Sequence, residues 1–231
     1  MKSIVLLVSV LLCVYSCKKS DPLELKTDSL ATKINSQINA SYFPMAVGNY
    51  WVYQEFWQTD SGYVSWGVTD STTISKDTVI NGNKYYKFEY YDNTNSPTIK
   101  YQGSSNYLRD SCSYIVQRDG LKILSLNNFT DTLRKGVKML NDDIILYQYS
   151  IKMEKIKDKI TVPAGTFDNV ISARRTMIMS PTFSDNNNDI RYSCRYYSKT
   201  VGCIFENVNF GTNKNYMVRF LLRYNVAKQA N

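Results

Sequence analysis

The stretch Asp77–Tyr91, DTVINGNKYYKFEYY, decides the fold of this chain. Asn81 and Gly82 stand between two runs of β-branched and aromatic residues, the residue types that strands favour. An Asn-Gly pair readily accepts the positive φ angles that a type I′ turn needs at both central positions. The stretch therefore predicts a β-hairpin with its turn at Asn81-Gly82.

Further strands and turns are predicted on both sides of this hairpin. The aromatic run Asn49–Trp57 predicts a strand that turns at residues 59–62 (TDSG) into a second strand over Tyr63–Lys76. Residues 115–124 (IVQRDGLKIL) repeat the hairpin pattern around Asp119-Gly120. Later strands are predicted over Ile144–Glu154, Lys157–Val162, Asn169–Met179, Asp189–Tyr197, Gly202–Val208 and Tyr216–Tyr224.

In the predicted strands Asp189–Tyr197 and Tyr216–Tyr224, arginines alternate with apolar and aromatic residues. In the final strand Arg219 and Arg223 share one face, and the other face carries Val218, Phe220, Leu222 and Tyr224. In residues 190–197 (IRYSCRYY) Arg191 and Arg195 share a face in the same way. A half-buried antiparallel sheet needs this pattern. We predict an all-β fold: one antiparallel domain of about ten to twelve strands, a sandwich or a barrel or half-barrel.

The composition is consistent with one domain and limits its chemistry. The chain has 231 residues, 43% of them hydrophobic, and 19 tyrosines, which suits one sizeable core rich in strands. It contains no histidine, which excludes Ser–His–Asp and Cys–His catalysis and histidine zinc sites. The net charge of +8 is spread along the chain, without the dense basic tract of a nucleic-acid-binding protein. We expect no nucleic acid partner, no metal and no cofactor.

The first residues have the features of an export signal. Lys2 precedes an apolar run of 11 residues, Ile4 to Val14, which is too short to span a bilayer. The residues VYSC that end at Cys17 resemble a bacterial lipobox, with Val14 three positions before the cysteine and Ser16 directly before it. The resemblance implies cleavage before Cys17 and acyl chains on that residue, and two or more chains anchor a protein firmly. The alternative is an ordinary signal peptide with an incidental cysteine.

These features divide the chain into three predicted parts. Residues 1–16 are a lipoprotein signal peptide, residues 17–41 are a polar, flexible tether, and residues 42–231 are the all-β domain. We expect the protein in the cell envelope, held at the outer membrane by the lipid on Cys17. Lys18 and Lys19 follow the cysteine where an acidic residue would indicate surface export, so the periplasmic and surface faces both stay open.

Three segments touch the beginning, middle and end of the predicted domain: YFPMAVGNYWVY (Tyr42–Tyr53), ITVPAGTFDNV (Ile160–Val170) and RYYSKTVGCIFE (Arg195–Glu206). They resemble signature stretches of a family of uncharacterised, exported, all-β lipoproteins common in Bacteroidetes-type bacteria. Thr200 stands where the family pattern often has glycine. The resemblance implies fold and location only, because the family has no established catalytic residues.

Three cysteines follow Cys17 in the sequence: Cys112, Cys194 and Cys203. An exported compartment permits disulfides. Cys194 and Cys203 face each other only if Ser198-Lys199 is a two-residue turn, and a turn centred one residue later places Phe205 opposite Cys194. The alternative is three small, buried thiols, and the odd number leaves at least one of them unpaired within the monomer.

Two groups of residues could carry a function. Trp51, Trp57 and Trp66 could form a platform on which sugar rings stack, although strand interiors also take aromatic side chains and core packing is the simpler interpretation. Carboxylates could perform acid–base catalysis without histidine, and the visible clusters are Asp142-Asp143 and Glu89 with Asp92. Solvated turns are the alternative for both clusters.

From the sequence we predict a lipid-anchored envelope protein with a non-catalytic binding or scaffolding role, and not an enzyme. Its partners are the membrane, through the lipid, and a glycan or another envelope protein. The main alternative is a carbohydrate- or lipid-binding module of a transport or uptake system. A carboxylate-based hydrolase is the third possibility, and it requires two acidic side chains about 5–9.5 Å apart in one cleft.

Overall fold

A computed structural model describes residues 41–92, 106–184, 189–209 and 216–227. Their regular structure is fourteen β-strands and one short 3₁₀ helix at Pro181–Phe183. No helix in these ranges is long and apolar enough to cross a membrane. The strands are β1 (Tyr50–Thr59), β2 (Gly62–Ile80), β3 (Asn83–Asp92), β4 (Asn106–Ser111), β5 (Tyr114–Gln117), β6 (Lys122–Ser125), β7 (Thr132–Met139), β8 (Ile145–Ile156), β9 (Ile160–Val162), β10 (Gly165–Phe167), β11 (Val170–Met179), β12 (Ile190–Ser198), β13 (Gly202–Asn209) and β14 (Tyr216–Asn225).

Twelve of the strands form one antiparallel sheet that nearly closes into a barrel. Their order is β6-β5-β4-β3-β2-β1-β14-β13-β12-β11-β8-β7, and the two edge strands β6 and β7 approach each other. The short strands β9 and β10 form a separate hairpin, and β9 lies beside β14. The all-β prediction is therefore confirmed, with the half-barrel as the form that the sheet takes.

The hairpin predicted at Asn81-Gly82 connects β2 to β3. Asn81 and Gly82 have φ angles of 50° and 74°, and Ile80 pairs with Asn83 across the turn. Positive φ at both central residues is what a type I′ turn requires. This prediction is confirmed. It also explains why β2 and β3 stay in register over most of their length, because a two-residue turn fixes the pairing of its flanking strands.

The hydrophobic core fills the inside of the curved sheet, and alternate residues of many strands contribute to it. Phe43, which precedes β1, packs against Phe88 and Tyr197 with ring centroids 5.4 and 6.1 Å apart. Burying a large apolar side chain contributes about 1.5–3 kcal/mol, so this shared interior stabilises the whole sheet. Its most buried members are Trp51, Tyr53, Ile74, Phe88, Leu108, Ile115, Leu124, Met153, Val170, Ile171, Tyr197, Ile204 and Leu221.

Arg195 on β12 and Arg219 on β14 lie on the inner face of the sheet. Arg195 and Arg219 line the interior, next to core residues. The aromatic residues that alternate with them lie on the outer face, where the ring of Phe220 packs against that of Phe56 with centroids 5.5 Å apart. The predicted alternation is thus present in this region, but its charged side is the enclosed one.

One detail of the predicted alternation is wrong. Arg219 and Arg223 were expected on a common face, but the register between β1 and β14 shifts between Val52 and Tyr53. Tyr53 pairs with Leu221, whereas Val52 pairs with Arg223, which is exposed. Such a bulge adds a residue to one strand and reverses which face the following side chains occupy.

The predicted signal peptide (1–16) and almost all of the predicted tether (17–41) lie outside the described residues. Cys17, the predicted site of lipid attachment, lies outside them as well. The described chain begins at Ser41, one residue before the predicted start of the domain, and its first segment packs on the core through Phe43.

Candidate functional site

A cavity of about 320 Å³ lies inside the sheet. This volume is at the lower end of the range that small-molecule sites occupy. Much of its wall is apolar and aromatic, formed by Phe43, Trp51, Phe88, Tyr90, Leu108 and Tyr197. The rest includes five charged residues, which we call the charged cluster: Glu55, Asp70, Arg195, Glu206 and Arg219.

The register of four strands places most of the charged cluster in one row. Arg195 on β12 pairs with Glu206 on β13, which pairs with Arg219 on β14, which pairs with Glu55 on β1. Directly opposed residues of neighbouring strands have Cβ atoms about 5 Å apart and share a face. The row therefore alternates in charge across the sheet, and Asp70 on β2 completes the cluster.

Arg219 is the centre of the charged cluster. Its Nε donates to Oδ2 of Asp70 at 2.7 Å, and its Nη2 contacts the other carboxylate oxygen. Its Nη1 donates to Oε2 of Glu206 at 2.8 Å. The second oxygen of Glu206 accepts from Nε of Arg195 at 2.6 Å. Glu206 thus joins two guanidinium groups, and Glu55 approaches Nε of Arg219 at 4.0 Å.

Two aromatic side chains of the cavity wall, Trp51 and Tyr53, are fixed by hydrogen bonds and a cation–π contact. The Arg219 guanidinium lies 4.4 Å from the centre of the Tyr53 ring, a favourable cation–π distance. The Tyr53 hydroxyl donates to the carbonyl of Cys203 at 3.0 Å. The Trp51 indole Nε1 donates to the carbonyl of Val201 at 2.6 Å. These two hydrogen bonds join β1 to the β12–β13 hairpin, so the wall is fixed before any ligand enters.

The cluster holds its charges strongly. Burial alone would raise the pKa of Glu206, but Arg195 and Arg219 outweigh burial and lower that pKa below its ordinary value. Burial opposes the charge on Arg219, yet Glu206 and Asp70 hold its pKa well above the ordinary value. Glu206 also raises the pKa of Arg195. These groups stay ionised near neutral pH, whereas a general acid or base needs a pKa near the working pH.

Arg195 is the member of the row that faces open space. Its side chain is 51% exposed although the sheet surrounds it, whereas the side chain of Glu206 is 10% exposed. Within the described part of the chain, Nε is the one nitrogen of the Arg195 guanidinium that hydrogen-bonds to Glu206. The outer nitrogens of this guanidinium therefore offer N–H donors to a polar group in the cavity.

The three tryptophans considered from the sequence as a sugar-stacking platform do not lie together in the structure. Trp51 is buried in the cavity wall. Trp57, six residues further along β1 and therefore roughly 20 Å away, packs against Trp66 with ring centroids 5.1 Å apart. Trp66 reaches this position because residues 66–68 form a bulge opposite Glu55, where Gly67 has a φ of 71°. Only Trp51 belongs to the cavity.

The three cysteines that the structure describes, Cys112, Cys194 and Cys203, carry free thiols, and Cys194 and Cys203 are not brought together. The turn between β12 and β13 is centred on Thr200, because Ser198 pairs with Gly202. This is further along the chain than both turns considered from the sequence, so Cys194 pairs with Asn207 and Cys203 with Tyr197. Burial and the neighbouring Glu206 raise the pKa of Cys203 to about 11. Burial also raises the pKa of Cys194.

Of the carboxylates considered from the sequence, Glu89, Asp142 and Asp143 do not line the cavity. Asp142 and Asp143 are exposed between β7 and β8. Glu89 accepts hydrogen bonds from Lys87 and from the Tyr91 hydroxyl, at 2.5 and 2.6 Å, and these contacts lower its pKa to about 2. Nothing in the described part of the chain groups three or more metal-ligating side chains.

The charged cluster itself was missed from the sequence. One signal was available in β1, where Glu55 follows Trp51 and Tyr53 at intervals of two and so falls on the face of two buried aromatic residues. A carboxylate on a buried strand face needs a partner. The partners, Arg219 and Glu206, are distant in the sequence, and only the strand register reveals them.

Two solved structures are similar to this chain. One, a crystal structure of a candidate lipoprotein from Parabacteroides distasonis, is 14% identical, with a TM-score of 0.46, over 80% of this chain and 98% of that one. The other, a candidate exported protein with a YmcC-like fold from Bacteroides fragilis, is 11% identical, with a TM-score of 0.41, over 79% of this chain and 98% of that one. No protein-family model and no curated protein matches the chain.

Proposed function

We propose that this protein is a lipid-anchored protein of the cell envelope whose barrel binds a small amphipathic ligand without transforming it. The observation that carries the binding role is the cavity, which combines an aromatic wall with the exposed guanidinium of Arg195. The lipid anchor rests on the lipobox resemblance that ends at Cys17. An outer-membrane location belongs to the same proposal.

The cavity lining favours a ligand with one apolar part and one polar part. Its aromatic and aliphatic wall stabilises buried apolar surface by about 25 cal/mol per Å². Arg195 offers hydrogen-bond donors to hydroxyl or carbonyl oxygens. The remaining charges are already paired with one another, so they need not rearrange when a ligand binds. A sugar ring with a short alkyl substituent has this combination of surfaces.

The chemistry of the cluster favours binding over hydrolysis. A glycoside hydrolase needs one carboxyl group with a raised pKa as its general acid. Glu206 has a lowered pKa, and both Glu206 and Asp70 are engaged by Arg219. A nitrophenyl glycoside tests this part of the proposal. Release of nitrophenol that disappears in Glu206→Gln would contradict it.

Calorimetry on the chain from Lys18 onward, produced without lipid, tests the binding role. The probes are octyl glucoside below its micelle concentration, methyl glucoside and octanoate. We expect octyl glucoside to bind most tightly, because it alone presents both surfaces. Thr72 lines the cavity, and Thr72→Phe should fill it and weaken binding by about tenfold or more.

Thr73→Phe is the matched control. Thr73 is the next residue on β2 and pairs with the exposed Tyr50, so its side chain lies on the outer face. This variant adds the same volume and should bind octyl glucoside as the wild type does. Equal loss in both variants, or no binding of any of the three probes to the wild type, would overturn the cavity as the functional site.

A further inference from the structure

A second cationic feature lies on the inner face of the sheet, apart from the cavity. Arg134 on β7 and Arg175 on β11 both lie near the ring of Tyr149 on β8, with guanidinium carbons 5.8 and 5.3 Å from the ring centre. We call these three residues the arginine pair site. None of the three lines the cavity described above.

The strand register places the arginine pair site on the inner face. Arg134 and Arg175 both pair with Ile151, one from each side of β8. Tyr149 pairs with Met177. Ile151 and Met177 are buried core residues with 7% and 1% exposure, and side chains of directly paired residues share a face. The two guanidinium groups therefore point to the inside of the sheet.

The hydrogen bonding of the arginine pair site is incomplete. The Nε atoms of Arg134 and Arg175 are buried and have no hydrogen-bond partner among the described residues. Neither guanidinium has a carboxylate partner in the described part of the chain, whereas Arg195 and Arg219 both do. Buried polar groups are almost always satisfied. Two neighbouring cations with unsatisfied buried donors lack an anion.

Burial and the mutual repulsion of the arginines act in the same direction. Burial lowers the pKa of Arg134, and Arg175 and Arg195 lower it further, while Tyr149 and, more weakly, Asp119 oppose them. An anion bound by both guanidinium groups would offset this repulsion. Tyr149 adds a hydroxyl that can donate a hydrogen bond to an oxyanion.

We propose that Arg134, Arg175 and Tyr149 bind the phosphoryl group of an anionic ligand, either free phosphate or a phosphate ester. The planar guanidinium fork matches two phosphate oxygens, and two such groups carry the charge that balances a dianion. The buried, unpartnered Nε atoms are the inner donors of each guanidinium fork. This proposal is independent of the cavity ligand, because the two sites share no residue.

Isothermal titration of the full chain in detergent tests this site with inorganic phosphate, glycerol 3-phosphate and acetate at equal ionic strength. We expect both phosphate compounds to bind more tightly than acetate. Tighter binding of glycerol 3-phosphate would identify an ester as the ligand, and tighter binding of inorganic phosphate would identify the free ion. Arg134→Gln and Arg175→Gln should each weaken phosphate binding by about tenfold or more.

Arg174→Gln is the matched control. Arg174 is the neighbour of Arg175 on β11, and its side chain lies over Tyr192 and pairs with Glu154 on the other face. The Arg174→Gln substitution removes the same charge from the outer face and should leave phosphate binding unchanged. No binding of either phosphate compound to the wild type, equal binding of acetate, or an equal loss in Arg174→Gln would overturn the proposal.

Melting curves keep this test independent of folding. Removing an uncompensated charge should leave the melting temperature of Arg175→Gln without phosphate at or above that of the wild type. Phosphate should then raise the melting temperature of the wild type only. The same rise in Arg175→Gln would show that phosphate acts elsewhere.

Discussion

Arg219 and Asp70 form a two-pronged ion pair inside the sheet although they are 149 positions apart in the chain. The pair joins β14 to β2 across β1, which lies between them in the sheet. Only 17% and 12% of the two side chains are exposed, so water screens their attraction weakly. The pair therefore links β2, near the start of the described sheet, to its last strand, β14, at the charged cluster.

Arg219→Gln should be strongly destabilising. The change leaves Asp70 and Glu206 without the guanidinium that binds both, and breaking a buried ion pair from one side costs about 3–5 kcal/mol. Urea denaturation measures the free energy of unfolding. Arg223→Gln, on the exposed end of the same strand, should change it by no more than about 0.5 kcal/mol. Similar values for the two variants would show that the cluster is not stabilising.

Acid should weaken the protein through Glu206. Because its folded pKa is lowered, the stability it contributes is fully present above the ordinary carboxyl pKa of about 4.3 and is lost as pH falls through the lower folded value. The wild type should then lose up to about 1.4 kcal/mol per pH unit from this group below about pH 4.5. The measurement is the free energy of unfolding from pH 7 to pH 3.

In Glu206→Gln the free energy of unfolding should fall less steeply below about pH 4.5, the part of the curve that we call the acid limb. The variant should also be less stable than the wild type at neutral pH. The control is Glu154→Gln, which removes an ion pair whose side chains are 37% and 38% exposed and which contributes little. It should retain the acid limb of the wild type. An unchanged limb in Glu206→Gln would assign the acid sensitivity to other groups.

The local parts of the fold could be predicted from the sequence because short-range chemistry determines them. The Asn81-Gly82 turn and the alternating strands that follow Asn169 appear at the predicted places. The strand β7 was missed, since TLRKGVKM has few large apolar residues and β7 lies at an edge of the sheet. An edge strand pairs on one side only and needs less apolar surface.

The candidate sites could not be predicted because they depend on the pairing of distant strands. Arg219 was recognised as part of an alternating strand, but a pattern of period two does not say which face is enclosed. The pairing with Glu206 and Glu55 decides that. The separation of Cys194 from Cys203 in the structure has the same cause, since a shift of the turn changes every partner beyond it.

Lipid attachment at Cys17 can be tested by metabolic labelling with an alkyne fatty acid. We expect the wild type to incorporate the label and to remain in the membrane fraction, because two or more acyl chains anchor a protein firmly. Cys17→Ser should lose both properties. Cys13→Ser, within the apolar run, should retain both. Labelling that survives in Cys17→Ser would contradict the assignment.

The thiols should differ sharply in reactivity. Cys112 is exposed, whereas Cys203 is held protonated by a pKa of about 11, and the thiolate is the reactive form. Iodoacetamide at pH 8 should therefore modify Cys112 first, as peptide mass spectrometry can show. After unfolding without reductant, Cys194 and Cys203 should react as well. Failure of both to react until a reductant is added would demonstrate the disulfide that the structure lacks.

Gly136→Ala tests the packing beneath the arginine pair site. A Cβ at this position would lie 2.8 Å from the Tyr149 hydroxyl and 3.0 Å from its ring carbon Cζ, so the rigid ring must move. Overpacking of this kind costs about 1–3 kcal/mol, partly offset by the lower entropy of the unfolded alanine chain. Displacing the Tyr149 ring, which both guanidinium groups approach, should also weaken phosphate binding.

A double-mutant cycle separates this clash from any effect of residue 136 on the backbone. In a Tyr149→Ala background the added methyl group has no ring to displace, so Gly136→Ala should be neutral or slightly stabilising there. The coupling between the two changes, measured by urea denaturation, should then equal most of the loss in the single variant. Additive losses would instead show that the edge strand β7 needs glycine for a reason other than the position of Tyr149.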